Sequence, residues 1–232
     1  VVLKVDSPGG TVTASDMLYE EIARFKKESG KPVVAAFLNV AASGGYYASL
    51  PADRIVAHPT CITGSVGVIF LHPKVEDLLG KIGVDVAVAK SGEHKDMLSP
   101  FRPDSEAERA MLQGIIDEMN QRFQELVARH RHPAPEAARE IATARIFSAR
   151  QAQALGLVDE VGTLRQAIES TKALAELPED ARIVTYRRSL YPDDTIYNSA
   201  DARSAPAALV HLPGEELLPP RTGLYYLWLP GE

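Results

Sequence analysis

The chain has 232 residues, with 25 Lys or Arg against 31 Asp or Glu, and this acidic balance without a dense basic stripe argues against nucleic-acid binding. Hydrophobic residues make up 45% of the sequence, which suffices for one large domain, but no stretch approaches the roughly 18 continuous apolar residues of a membrane helix. The single cysteine, Cys61, excludes an intrachain disulfide.

Predicted strands and helices alternate along the first 89 residues. Such alternation is typical of an α/β fold with a mainly parallel sheet. Because the sequence opens on a strand already under way, we expect residues upstream to be missing, and a targeting or anchoring segment with them. The predicted elements are strands at 1–6, 33–38, 54–57 and 84–89, an extended segment at 62–70, and helices at 11–27 and 75–82.

Helices dominate after Pro103. Asp104 is predicted to cap a long helix that ends near Arg131, with acidic residues in its first turn where the helix dipole favours them. Shorter helices are predicted at 135–143, 148–154 and 163–177, and a strand at 183–186. We predict a folded domain over residues 1–186.

Residues 187–232 are predicted to form a C-terminal extension or tail. The stretch 192–206 is rich in Pro, Asp and Ser and is predicted to be a linker. The apolar stretch at 225–229 is expected to be an edge strand or a disordered tail. Docking into a neighbouring subunit or into a substrate groove is the alternative.

Four short stretches with Gly and Ser each follow a predicted strand. They are DSPGG (6–10), AASGGYY (41–47), ITGSVGV (62–68) and SGEHKD (91–96). Loops at the carboxyl ends of parallel strands gather at one edge of a sheet. Together these loops offer a hydroxyl, unobstructed backbone amides and an amine, which are the parts of an acyl-transfer centre.

Ser43 is the candidate nucleophile, because it is expected at the N-terminus of a short helix among small residues. A serine hydroxyl needs a neighbouring base, and either His94 or Lys95 could act as one. A lysine base must be neutral, which requires its pKa to fall from about 10.4 to about 7, at a cost of about 4.6 kcal/mol. Burial in an apolar site can do this. Ser65 could hold the base in place.

A tetrahedral oxyanion needs backbone N–H donors, which glycine-rich turns expose. The amides of Gly9, Gly10 and Gly44 could provide them. The alternative interpretation is structural, since ASGG can be a close-packing turn and Pro-Gly-Gly is a common turn signal. His130 and His132 have no acidic or cysteine companions in the sequence, and acyl transfer through a serine and a base needs no metal or organic cofactor.

The four stretches, in this order and at this spacing, resemble the signal peptide peptidase A family of serine–lysine proteases. The similarity runs from about Val1 to Gly162, and it includes SGEHKDMLSPFR (91–102) and GLVDEVG (156–162). It implies a fold like those of Clp protease and the crotonases, with repeated β-β-α units and flanking helices. The resemblance is to the short, single-repeat type, in which residues 1–186 would be the protease domain.

The resemblance also implies residue roles. Ser43 matches the family nucleophile and Lys95 its general base, while Gly10 and Gly44 would form the oxyanion hole and Ser65 would orient the lysine. A substrate strand would run beside Ser7, Pro8 and Gly9.

Members of this family cleave leftover signal peptides near the membrane, usually behind an N-terminal membrane anchor, and assemble as rings. We therefore expect a membrane-associated, extracytoplasmic enzyme such as one of the bacterial periplasm or cell surface. In short members the ring implies that serine and lysine can come from adjacent subunits. Two rival hypotheses remain: a crotonase-type acyl-CoA enzyme, and a non-catalytic membrane-associated assembly protein with the same fold.

Overall fold

The fold is a mixed α/β architecture built around nine strands and seven helices in the described part of the chain. The structure is a computed structural model that describes residues 1–186 and 223–227. The strands are β1 Val2–Ser7, β2 Gly9–Thr11, β3 Val34–Ala42, β4 Arg54–Ala57, β5 Ile62–Gly64, β6 Ile69–Leu71, β7 Ile146–Ser148, β8 Glu160–Val161 and β9 Gly223–Leu227. The helices are α1 Val12–Ser29, α2 Gly44–Ser49, α3 Glu76–Lys81, α4 Glu106–Arg131, α5 Pro135–Ile141, α6 Ala149–Ala154 and α7 Leu164–Leu174.

The central strand of the main sheet is β3. It pairs in parallel with β1, with β4 along its first half and with β5 along its second half. At the outer positions β8 is parallel to β4, and β7 is antiparallel to β5. The predicted fold class, α/β with a mainly parallel sheet, is confirmed.

The sequence of β3 explains its central place. Its first four residues, VAAF, are all buried, which is the pattern of a parallel strand covered on both faces. Phe37 faces the larger core together with Tyr46, Tyr47 and Phe123. Val34 faces the smaller core, which includes residues of α7.

A second, three-stranded antiparallel sheet has the order β2, β9, β6. The expectation of an edge strand near Tyr225 was wrong, because β9 pairs with β2 on one side and with β6 on the other. The predicted linker at 192–206 lies outside the described residues.

Two predicted strands are not formed. Residues 84–89 and 183–186 have no regular secondary structure and pair with no strand in the described part of the chain. The sequence VDVAVA at 84–89 has the alternation of a strand, but Val84, Val86 and Val88 are 44–53% exposed because no strand or helix of the described chain covers them.

Ser105, and not Asp104, caps α4. The Ser105 side chain accepts a hydrogen bond from the Glu108 amide, and the Glu108 carboxylate accepts one from the Ser105 amide. Asp104 instead accepts a hydrogen bond from Lys74 at 2.6 Å. The capping box thus begins one residue later than the acidic residue that suggested it.

Replacing Ser105 by Ala removes the side-chain acceptor at the start of α4. We expect a loss of about 1 kcal/mol in the free energy of unfolding, measured by urea denaturation. Ser105→Thr keeps the hydroxyl and serves as the matched control. Equal stability of Ser105→Ala and the native chain would contradict the assignment of the cap.

Candidate active site

Ser43 occupies the turn between β3 and α2. Its φ of 52° and ψ of −116° lie outside the regions that residues with a side chain prefer, a strain of about 1–3 kcal/mol. The residue is fully buried, yet its Oγ has no hydrogen-bond partner among the described residues. Buried hydroxyls are nearly always paired. Ser43 therefore has a strained backbone, and its hydroxyl makes no hydrogen bond to the described part of the fold.

The backbone ties this turn to the end of β5. The Ser43 amide donates to the Gly64 carbonyl at 2.8 Å, and the Ser43 carbonyl accepts from the Tyr47 amide at 2.8 Å. Because β1, β3 and β5 are parallel, their carboxyl ends lie at the same edge of the sheet. Three of the four motif loops therefore meet at Ser43, as their placement after strands predicted.

Gly44 is in close contact with strands β2 and β9. A β-carbon on Gly44 would lie 3.0 Å from the Gly10 amide nitrogen and 3.1 Å from the Tyr226 carbonyl oxygen, and would also collide with the Ser15 hydroxyl. No side chain fits there. The two glycines predicted to form the oxyanion hole thus have adjacent backbones.

The turn Ser7-Pro8-Gly9 is held by its own side chain, since Ser7 Oγ accepts from the Gly9 amide at 3.2 Å. Pro8 is exposed. Gly9 has a φ of +120° and its α-carbon faces the Tyr226 carbonyl, so only glycine suits this position. Of the three predicted substrate-binding residues, Gly9 therefore borders β9.

Lys95 is not brought to Ser43 within one chain. It is exposed, in the irregular segment between α3 and α4, whereas Ser43 is fully buried and its Oγ has no hydrogen-bond partner among the described residues. His94 beside it is exposed as well. Ser65 lies directly after β5 with a φ of 52°, and its amide donates to the Arg145 carbonyl at 2.9 Å.

Asp96, the residue after Lys95, is anchored by Arg102. The Arg102 guanidinium donates to the Asp96 carboxylate at 2.9 Å and to the Glu108 carboxylate at 2.8 Å. Hydrogen bonds from Arg102 hold the pKa of both carboxyls far below their usual range. Since Glu108 also closes the α4 capping box, the lysine segment is fixed to the start of α4.

Tyr226 in β9 was not singled out by the sequence analysis as a site residue. It is fully buried, and its ring stacks on Tyr47 at 4.8 Å and lies against Phe123 at 4.8 Å. Its hydroxyl donates to the Met119 carbonyl at 3.0 Å. The apolar stretch at 225–229 did indicate a strand. Its partner strands β2 and β6 could not be predicted, because they lie far from it in the sequence.

The remaining histidine and cysteine candidates have structural surroundings. His130 hydrogen bonds with the Tyr19 hydroxyl at 2.9 Å, and its pKa is lowered mainly by burial. Burial raises the pKa of the Cys61 thiol to about 12. Over residues 1–186 and 223–227, no three His, Cys, Asp or Glu side chains form a group that could hold a metal ion. None of the helices in these ranges is long and apolar enough to cross a membrane.

Known proteins share much of this sequence. The chain is 40% identical over 187 residues to an Enterococcus faecium protein proposed to be the signal peptide peptidase SppA, covering 81% of this chain and 54% of that one. It is 37% identical over 179 residues to Protease 4 of Salmonella typhi, covering 77% of this chain and 29% of that one. The chain thus spans about half the length of the first of these relatives, and less of the second.

A solved structure of a mutant ClpP1 from Listeria monocytogenes superposes with a TM-score of 0.46 at 19% identity, covering 72% of this chain and 76% of that one. The sequence model of peptidase family S49 matches residues 25–178, which include Ser43 and Lys95. The chain belongs to peptidase family S49.

Proposed function

We propose that this domain is a serine endopeptidase that works through an acyl-enzyme formed on Ser43. The observation that supports this most is the state of Ser43: strained, fully buried and without a partner for its hydroxyl among the described residues. A structural serine in a close-packed turn would be hydrogen bonded to the fold. Ser49, on the same helix, is bonded in that way, since its hydroxyl donates to the Gly45 carbonyl at 2.8 Å.

Lys95 is the proposed general base, supplied by a second copy of the chain. Within one chain Lys95 is exposed, whereas a lysine base must be desolvated to be neutral at physiological pH. The segment that leads to Lys95 carries apolar side chains exposed by 44–65%, as an interface between subunits would require. These side chains belong to Leu78, Ile82, Val84, Val86 and Val88.

The catalytic cycle follows from these positions. Lys95 Nζ takes the proton of Ser43 Oγ as the oxygen attacks the scissile carbonyl. The amides of Gly10 and Gly44 stabilise the oxyanion, and Lys95 then protonates the leaving amine. Water hydrolyses the acyl-enzyme with Lys95 again acting as base, and Ser65 is proposed to orient it.

The substrate is proposed to be an extended apolar peptide, such as a remnant of a signal peptide. Support comes from the name of the Enterococcus relative and from β9, which shows an extended segment seated beside Gly9 and Gly10. Membrane association, an extracytoplasmic location and a ring assembly belong to the same proposal. They rest on the resemblance to the family.

Mixing two inactive variants tests the dyad and its location together. Ser43→Ala and Lys95→Ala should each lower kcat for a fluorogenic apolar peptide by a factor of about 10⁴ or more, because nucleophile and base are lost separately. If the dyad forms between subunits, mixing equal amounts with exchange of subunits should restore activity at about a quarter of the sites.

Two variants of matched residue type serve as controls for the dyad. Ser29→Ala and Lys27→Ala change a serine and an exposed lysine in the last turn of α1, at the end of that helix remote from Ser15 and Gly44, and should retain peptidase activity. Ser43→Ala activity equal to the native chain would favour an acyl-CoA enzyme. Retained cellular function in both Ser43→Ala and Lys95→Ala would favour a non-catalytic scaffold.

Gly44→Ala tests the close backbone contact at the oxyanion site. Its methyl group would collide with Ser15 and with the Gly10 and Tyr226 backbones, so the Gly44 amide must shift. We expect kcat/KM to fall by about 10²- to 10³-fold. Gly114→Ala in α4, where nothing lies within 4 Å of the added carbon, is the control and should keep full activity. Equal activity of the two variants would exclude the Gly44 amide from catalysis.

A further inference from the structure

The segment that carries Lys95 contains no helix or strand. Residues 82–105 join α3 to α4 as turns and irregular chain. Local hydrogen bonds close the turn around the lysine: the Lys95 amide donates to the Gly92 carbonyl at 3.2 Å, and the Met97 amide donates to the His94 carbonyl at 3.0 Å. Such bonds set the shape of a turn, but they do not set its place on the protein. Contacts that leave the turn must do so.

Asp96, directly after Lys95, fastens the turn to its surroundings. Its side chain is only 11% exposed, and both carboxylate oxygens are bonded. Arg102 donates to one oxygen from Nε and to the other from Nη2, each at 2.9 Å, and Lys90 Nζ donates to the second oxygen at 2.8 Å. Arg102 Nη2 also reaches the Asp96 carbonyl at 3.1 Å. Hydrogen bonds from Arg102 and then from Lys90 lower the pKa of Asp96, so the carboxylate is ionised at neutral pH.

Arg102 connects this turn to α4. Its Nη1 donates to the Glu108 carboxylate at 2.8 Å, and its Nη2 donates to the other oxygen of the same carboxylate. The Glu108 side chain is 3% exposed and lies in the first turn of the helix. Lys74 Nζ donates to the Arg102 carbonyl at 2.9 Å, so the backbone of the arginine is held as well. One guanidinium therefore joins the turn of Lys95 to a long helix through two carboxylates.

The bonds between Arg102 and Asp96 are not needed for the helix itself. Ser105 and Glu108 complete the capping box of α4 between them. The chain between Asp96 and Arg102 includes Leu98, whose φ of 64° is a left-handed conformation that persists only where the surrounding contacts hold it. The bonds to Asp96 therefore constrain the lysine turn and not the start of α4.

We propose that Arg102 and Asp96 are positioning residues for the proposed general base: their paired hydrogen bonds fix the turn of Lys95 to α4 and thereby set where Lys95 is presented to Ser43. The proposal rests on the proposed peptidase function. Lys90 supports the arrangement as a second cation on the same carboxylate. Proton transfer between nucleophile and base depends steeply on their geometry, and a misplacement of about 1 Å can cost about 100-fold in rate. Arg102 and Asp96 act through Lys95 and take no part in the proton transfer.

The kinetic test removes the charge of Asp96 and keeps the shape of the side chain. In Asp96→Asn, Arg102 loses its ionic partner in the turn. We expect kcat for a fluorogenic apolar peptide to fall by about 10- to 100-fold with KM unchanged, because the base is displaced while the substrate site is intact. Arg102→Lys should lower kcat as well, since a single ammonium cannot bridge both carboxylates. Asp117→Asn, at an exposed position of α4, is the matched control and should keep the native kcat.

Mixed assemblies show whether the effect follows the lysine. In the mixture of Ser43→Ala and Lys95→Ala chains, only the Ser43→Ala chain offers Lys95. Adding Asp96→Asn to that chain should lower the restored activity by about 10-fold or more, whereas adding it to the Lys95→Ala chain should leave the restored activity unchanged. A general loss of stability would lower both mixtures alike.

Two kinetic outcomes would overturn the proposal. One is an equal effect of Asp96→Asn in the two mixtures, and the other is a native kcat in the Asp96→Asn or Arg102→Lys enzyme. Where the dyad forms within one chain and no mixture regains activity, the kcat values of these two variants decide.

A measurement without catalysis separates this proposal from the peptidase function. Hydrogen–deuterium exchange of residues 91–99 is followed by mass spectrometry in Ser43→Ala and in Ser43→Ala with Asp96→Asn. The added change should speed exchange in this segment by about 10-fold or more, while exchange in α4 beyond its first turn stays the same. Unchanged exchange would overturn the proposal and leave the peptidase standing. Faster exchange together with no hydrolysis by the native chain would instead reject the peptidase and leave the network as the device that orders the segment.

Discussion

Three separate segments of the chain converge on the α-carbon of Gly44. The Ser15 hydroxyl comes from α1, the Gly10 amide from β2 and the Tyr226 carbonyl from β9. Because a hydrogen atom is the largest substituent that this space accepts, the contact sets how closely the two sheets approach each other. The turn at Ser43 is positioned by the same contact, and its strain is sustained by the surrounding buried packing.

The local part of this arrangement follows from sequence. The alternation of strands and helices predicts a parallel sheet, and a parallel sheet gathers its loops at one edge. That reasoning places the DSPGG, AASGGYY and ITGSVGV loops together without any coordinates. It succeeds because β3 is an apolar run flanked by loops of small residues, a pattern with few structural alternatives.

The part that depends on distant segments does not follow from sequence. The strand pattern at 84–89 predicts pairing, but its partner is absent from the described chain, and its valines stay exposed. The opposite error occurs at β9, whose partners lie more than 150 residues earlier in the chain. In both cases periodicity reports which residues suit a strand, and it carries no information about the neighbouring strand.

Helix α4 connects the two sides of the proposed chemistry. Its first turn binds Arg102, which holds the segment of Lys95, and its middle supplies Phe123 and the Met119 carbonyl to the pocket of Tyr226. At about 1.5 Å per residue, the 11 residues from Glu108 to Met119 span about 16 Å. A rigid helix of this length holds the residues at its start and in its middle at a fixed distance from each other. It fixes the spacing between the buried ring of Tyr226 and the segment that carries Lys95, so the positions of β9 and of the Lys95 segment depend on the same helix.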